Sequence, residues 1–156
     1  MSQTSVLALM REATRRVEAQ IQEAMLVQVT SDELTENPTA FTFVFKLAGE
    51  NKTAVISCAQ GKWSEITHKE AILGLIFNDL LRSEIDLAEA VERIRGAGYK
   101  DPVYMCGLFQ ALSATPAINP KYNFTPDNCS WATSDHYIFV DSVTGSVELF
   151  PKEDAG

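Results

Sequence analysis

The groups able to do chemistry in this 156-residue sequence are few apart from its acids: two histidines, three cysteines and twenty-one Asp and Glu. Nucleophilic catalysis needs a Ser, Cys or Thr beside a base, most often a His oriented by an acid. His68 lies within Thr67-His68-Lys69-Glu70, a capping-box sequence in which a surface position accounts for it. His136 follows Asp135 and opens a strand-like run, so an acid or a thiol such as Cys106 or Cys129 folded beside it would make a reactive pair. Unpaired in that way, a cysteine serves as a small buried hydrophobe and is inert.

Other chemistries lack their patterns. The sequence has no HxxxH, no HExxH and no Asp/Asn-rich loop closing on Glu, so no metal site is expected. Cys58, Cys106 and Cys129 include no CxxC pair. Gly96-Ala97-Gly98 follows a helix, whereas a phosphate cradle precedes one, and no cofactor is expected. Paired carboxylates for acid–base work stay open, because their separations are set by the fold.

Binding is better supported than catalysis. Ser113 to Asp135 is irregular, with Pro116, Pro120 and Pro126 beside Tyr122, Phe124 and Trp131. Rigid aromatics on a loop make contact anchors, so Tyr122, Phe124, Trp131 and the neighbouring His136 are the candidate binding residues. The competing reading folds these rings back against the sheet. A connection this long is either functional or conceals a short strand, here around Lys121 to Thr125.

The net charge of -8 repels phosphate backbones and anionic lipid, so neither nucleic acid nor a membrane surface is an expected partner. A protein partner, with a basic contact surface, suits that field; a homodimer is an open alternative. Arg11, Arg15 and Arg16 alternate with Glu12 and Glu18 and read as a solvated helix face. No apolar run reaches the ~20 residues of a membrane span. With no secretion-type apolar stretch near Met1, the expected setting is cytoplasmic with free thiols, which a removed leader would reverse.

Length and composition fit a single domain over residues 1–156. Val6, Met10, Ala13, Val17, Ile21 and Ala24 recur at helical spacing and predict a helix from Ser5 to about Met25. Ala40 to Ala48 alternates Phe41, Phe43, Phe45 and Leu47 with polar or smaller residues and predicts a strand. Thr53 to Ala59 returns, Gln60-Gly61 turns, and Lys62 to Ile66 closes the group. The capping box at Thr67 predicts a helix through Leu81, and Asp86-Leu87-Ala88-Glu89 opens another through Arg95, stopped by Gly96 and Gly98. Strands are expected at Val103 to Leu112, His136 to Asp141 and Ser146 to Phe150. The expected fold is α+β: an antiparallel sheet of about seven strands with helices on one face.

TAVISCAQGKWSEI (53–66) aligns without gaps on YIFVDSVTGSVELF (137–150), each a strand, an X-Gly turn and a short strand. Two αβββ-like pseudo-repeats, 5–66 and 86–150, would explain this; so would convergence of hairpins. Residues Asp86 to Phe150, with DLAEAVERIRGAGY, PVYMCGLFQAL and HYIFVDSVTGSVELF, resemble the PepSY module. Tyr137, Val140, Asp141, Thr144, Gly145 and Val147 carry the likeness. The long Ser113 to Asp135 insertion and the lack of a signal peptide depart from the pattern. The resemblance implies a non-enzymatic module for inhibition, regulation or protein interaction, and no catalytic residues. The function expected first is therefore protein binding through the sheet surface and the 113–136 loop. The alternatives are an acidic secretion-type chaperone, or a small enzyme with a sheet cleft around His136.

Overall fold

A computed structural model describes residues 5–33, 35, 37–47, 52–70, 80–100, 102–109, 119–126 and 136–151. Helix α1 spans Val6–Glu18, with Ser5 as its N-cap and the Ser5 hydroxyl accepting from the Ala8 N–H. Val6, Met10, Ala13 and Val17 form its buried stripe, as their spacing requires. The helix ends well before Met25. Glu23 takes a left-handed backbone (φ 57°), which breaks helical continuation, and the chain enters strand β1 at Ala24.

Among the described residues, nine strands follow the helix in one antiparallel sheet: β1 (Ala24–Ser31), β2 (Ala40–Leu47), β3 (Lys52–Ala59), β4 (Lys62–Trp63), β5 (Thr67–Glu70), β6 (Tyr104–Phe109), β7 (Lys121–Thr125), β8 (His136–Asp141) and β9 (Val147–Pro151). Helix α2 (Leu87–Gly96) precedes β6, and a single 3-10 turn covers Leu80–Arg82. The spatial order is β4-β3-β2-β1-β6-β7-β8-β9, with β5 continuing the edge that β4 begins on β3.

Thr67–Glu70 is a strand, not the start of a helix. It pairs residue for residue with Lys52–Val55, and the ladder bonds of the β3 edge outweigh the local capping preference. The rest of the helix expected there, residues 71–79, lies outside the described residues. The concealed strand near Lys121 to Thr125 is present as β7, between β6 and β8.

Register shows which side chains share a face, because directly opposed residues project the same way. Val29 opposes Phe43, which opposes Ile56; on the other side Val29 opposes Leu108, Leu108 opposes Tyr122, and Tyr122 opposes Val140. These side chains are buried and belong to one continuous core. Both helices lie on this face. Arg16 of α1 stacks 5.0 Å from the Trp63 ring, which itself stacks on Phe43. Just before α2, the Ile85 carbonyl receives the Tyr122 hydroxyl at 2.6 Å. Burying each Phe or Leu of this layer contributes roughly 1.5–3 kcal/mol.

The two halves of the sheet share details beyond strand order. A bulge at Leu26/Gln28 faces Phe45 and Val44, and a bulge at Met105/Gly107 faces Phe124 and Asn123. Gly61 and Gly145 occupy matching hairpin positions with φ of 81° and 83°.

Candidate functional site

Tyr122 and Phe124 sit on β7 facing the helices and are fully buried. Their rings lie 6.5 Å apart in a tilted arrangement, and neither presents a surface to a partner. Period-two placement explains this: Tyr122 opposes Leu108 and Val140, and Phe124 opposes Met105 and Ile138, so both rings fill the layer under α2. Burial and the nearby Asp86 charge push the Tyr122 hydroxyl well above the ordinary tyrosine range, so it is a neutral donor. Trp131 lies outside the described residues. His136 opens β8 opposite Pro151, as the sequence suggests, and the backbone there is all that is described.

The reactive groups that the structure does describe are dispersed. His68 is exposed on β5 opposite Ala54. Cys58 is buried in the core beneath α1, while the Cys106 thiol lies 3.6 Å from the Thr125 hydroxyl. Among the described residues no three His, Cys, Asp or Glu converge as a metal site.

What the sequence does not announce is a pair of polar knots. In the first, the Asp86 carboxylate serves both helices. It accepts from the Leu87 N–H at 2.8 Å as the cap of α2, and from the Val6 N–H at 2.8 Å and the Ser5 hydroxyl at the start of α1. The Asp86 capping box was legible; its second client, eighty residues away in sequence, was not. In the second, the buried Ser142 hydroxyl donates to the Pro120 carbonyl at 2.7 Å and meets the Ser83 hydroxyl at 2.7 Å. The Ser142 carbonyl takes the N–H groups of Glu84 and Ile85. Beside it, the Asp141 carboxylate accepts from the Val143 and Thr144 N–H groups at 2.8 and 2.9 Å. Burial alone would push the Asp141 carboxyl up, but these bonds and the Asn119 amide outweigh it and hold the group below the usual Asp range. Such knots fix geometry and offer no reaction site, because every member is engaged in the turn or cap it builds.

The sheet face away from the helices has a different composition. In the first half it carries Met25, Gln28, Thr30, Val44, Val55 and Ser57, all half-buried. The Thr42 hydroxyl on this face meets the Ser57 hydroxyl at 3.1 Å and donates to Asp32 at 2.9 Å. In the second half the same face carries Phe109 and Phe139, half-buried, around the buried Asn123 and Thr125. Comparison with protein-family models, with curated proteins and with solved structures finds no match for this chain.

Proposed function

We propose that this chain is a non-catalytic protein-binding or regulatory module that acts through the sheet face turned away from its helices and through the 113–136 segment. One observation carries the reading. Both described helices cover one face of the sheet, while the first-half side chains opposite mix apolar groups (Met25, Val44, Val55) with hydrogen-bonding ones (Gln28, Thr30, Ser57), all half-buried. A broad surface of that mixture is the usual composition of a non-obligate protein contact. The net charge of -8 selects a partner with a basic contact surface, since complementary fields speed encounter. The resemblance of residues 86–150 to PepSY modules supports the same class. The matching bulges and hairpin glycines support reading the halves as two copies of one unit.

The two copies, so aligned, agree on the covered face and differ on the other. Phe43 corresponds to Tyr122, Phe45 to Phe124 and Ile56 to Val140, whereas Val44 corresponds to Asn123 and Val55 to Phe139. Packing fixes the first set; in the second, Val44 and Val55 are half-buried on the face turned from the helices and can serve a partner, whereas Asn123 is buried. The test is the pair Val44→Arg and Val55→Arg, which adds bulk and like charge without touching the core. A purified partner obtained by affinity capture should prove basic. Its Kd should weaken by about tenfold or more against the folded double variant, a change of about 1.4 kcal/mol, and should also weaken as salt is raised. An unchanged Kd rejects this face.

A further inference from the structure

The edge of β3 away from β2 is covered in two pieces: β4 pairs with Cys58 and Ala59, and β5 with Lys52 to Val55. Ser64 extends the first piece. It gives its N–H to the Ser57 carbonyl at 2.8 Å, and its hydroxyl takes the Ser57 N–H at 2.9 Å. Pairing resumes at Val55 with Thr67, so two residues, Glu65 and Ile66, stand against the single Ile56. A bulge of this kind re-aims side chains. Between it and the C-terminal end of α1 lies a cleft of about 580 Å³, within the usual range of small-molecule sites. Ile56 and Ile66 give it an apolar patch, Arg16 lines it from α1, and Glu65 lines it from the bulge.

Arg16 is held ready for a ligand. Its Nε donates to Glu12 at 2.7 Å, and its guanidinium lies 5.0 Å from the Trp63 ring, itself stacked on Phe43. Its two terminal nitrogens take no hydrogen-bond partner among the described residues, and at 41% side-chain exposure they can be reached. A guanidinium stacked and braced in this way is a fixed, two-pronged donor that matches a carboxylate. Arg15, the other cation of the lining, is already turned to Glu12 through two of its nitrogens. A bare anion would nevertheless meet opposing charge. The Glu65 carboxylate is exposed in the lining, without a hydrogen-bond partner among the described residues. The end of α1 carries partial negative charge, and the whole molecule has a net charge of -8.

We propose that this cleft binds a small zwitterion of the α-amino-acid class with an apolar side chain. The carboxylate takes the Arg16 fork, the ammonium takes Glu65, and the side chain covers Ile56 and Ile66. Such a ligand is neutral overall, so the field of the molecule does not repel it. The cleft lies on the helix-covered side of the sheet and does not depend on what binds the opposite face.

The probes are leucine, isocaproate (leucine without its ammonium) and isoamylamine (leucine without its carboxylate), each titrated calorimetrically into the full chain. Leucine should bind saturably with a Kd of about 1 mM or tighter, and each analogue about tenfold or more weakly. Arg16→Gln should weaken leucine about tenfold and leave isoamylamine unchanged, and Arg16→Lys, which keeps the charge but loses the fork, should also weaken leucine. Glu65→Gln should weaken leucine about tenfold without weakening isocaproate. Variants with the wild-type urea midpoint are folded, and this crossed pattern is one that a merely structural role would not produce. Absence of saturable leucine binding overturns the proposal, as does isocaproate binding as tightly as leucine, or wild-type leucine affinity in the Arg16→Gln and Glu65→Gln variants.

Discussion

Asp141 shows how one side chain sets a turn. Its carboxylate replaces solvent for the Val143 and Thr144 N–H groups, while the Gly145 N–H donates to the Asp141 carbonyl at 2.9 Å and the chain reverses through the left-handed Gly145. Asp141→Ala should cost roughly 1–2 kcal/mol, the scale of a lost capping side chain, read as a lower urea midpoint with an unchanged slope. The pH dependence has a definite sign. The folded carboxyl titrates below its unfolded value near 3.9, so its stabilisation is present above that value and is lost as pH falls through the folded one. The stability difference between wild type and Asp141→Ala should therefore be flat above about pH 5 and shrink below about pH 4. Tyr122 makes the complementary case of a neutral buried donor. Tyr122→Phe keeps the ring but removes the donor to the Ile85 carbonyl, and should cost roughly 1–3 kcal/mol with no dependence on pH in the acid range. A variant as stable as wild type would show that the hydroxyl bond contributes nothing net.

At the scale of elements, the two helices begin at one carboxylate. Orphan N–H groups at a helix start need acceptors, and the partial positive charge there favours an anion. Asp86→Ala removes that acceptor from α1 and α2 together and should cost about 2–3 kcal/mol, more than the ~1 kcal/mol of a single cap. Ser5→Ala alone should cost about 1 kcal/mol, and less again in the Asp86→Ala background, because the Ser5–Asp86 bond is lost in either. Strict additivity in thermal or urea melts would mean the two caps act separately. Elements whose period-two pattern was strong, such as Ala40–Leu47, were legible from side-chain alternation alone, as was the turn at Gln60-Gly61. Where local and long-range signals disagreed, the long-range ones prevailed: the capping box at Thr67 became a strand on the β3 edge, and Ala24 left its helical spacing to pair with Leu47. The candidate contact rings were misplaced for a related reason. Tyr122 and Phe124 lie one residue apart in period-two register, which suits a half-buried strand as well as a loop, and only the neighbours β6 and β8 decide that both face inward.

For the whole molecule, the fold and the charge act on stability in opposite directions. The sheet, covered by both described helices on one face, draws its stability from a continuous apolar layer that is indifferent to pH. The net charge of -8 loads the compact state with like-charge repulsion that the expanded chain relieves. Lowering the pH from 7 towards the isoelectric point near 4.7 removes that repulsion. Glu12 and Glu33 remain ionised through this interval. Bonding to Arg15, ahead of Arg16, holds the Glu12 carboxyl down at about 2, and the Thr39 N–H leads the contacts that keep Glu33 below the usual range. Both have depressed folded values, so whatever they contribute is present above their unfolded values near 4.3 and disappears only as pH falls through the folded ones. Both sit half-buried at the surface within reach of solvent screening, so their share is small beside the charge of the whole molecule. Thermal stability should therefore rise from pH 7 to about pH 5 and fall below about pH 4. The two limbs have different origins and should respond differently to salt. Raising ionic strength to about 0.5 M shortens screening to a few ångströms, so it should lift the Tm at pH 7 by a few degrees while leaving the value at pH 5 nearly unchanged. A Tm that falls steadily from pH 7 downward, or that salt lifts equally at both pH values, would mean that ionised pairs inside the fold, not its overall negative field, govern its acid behaviour.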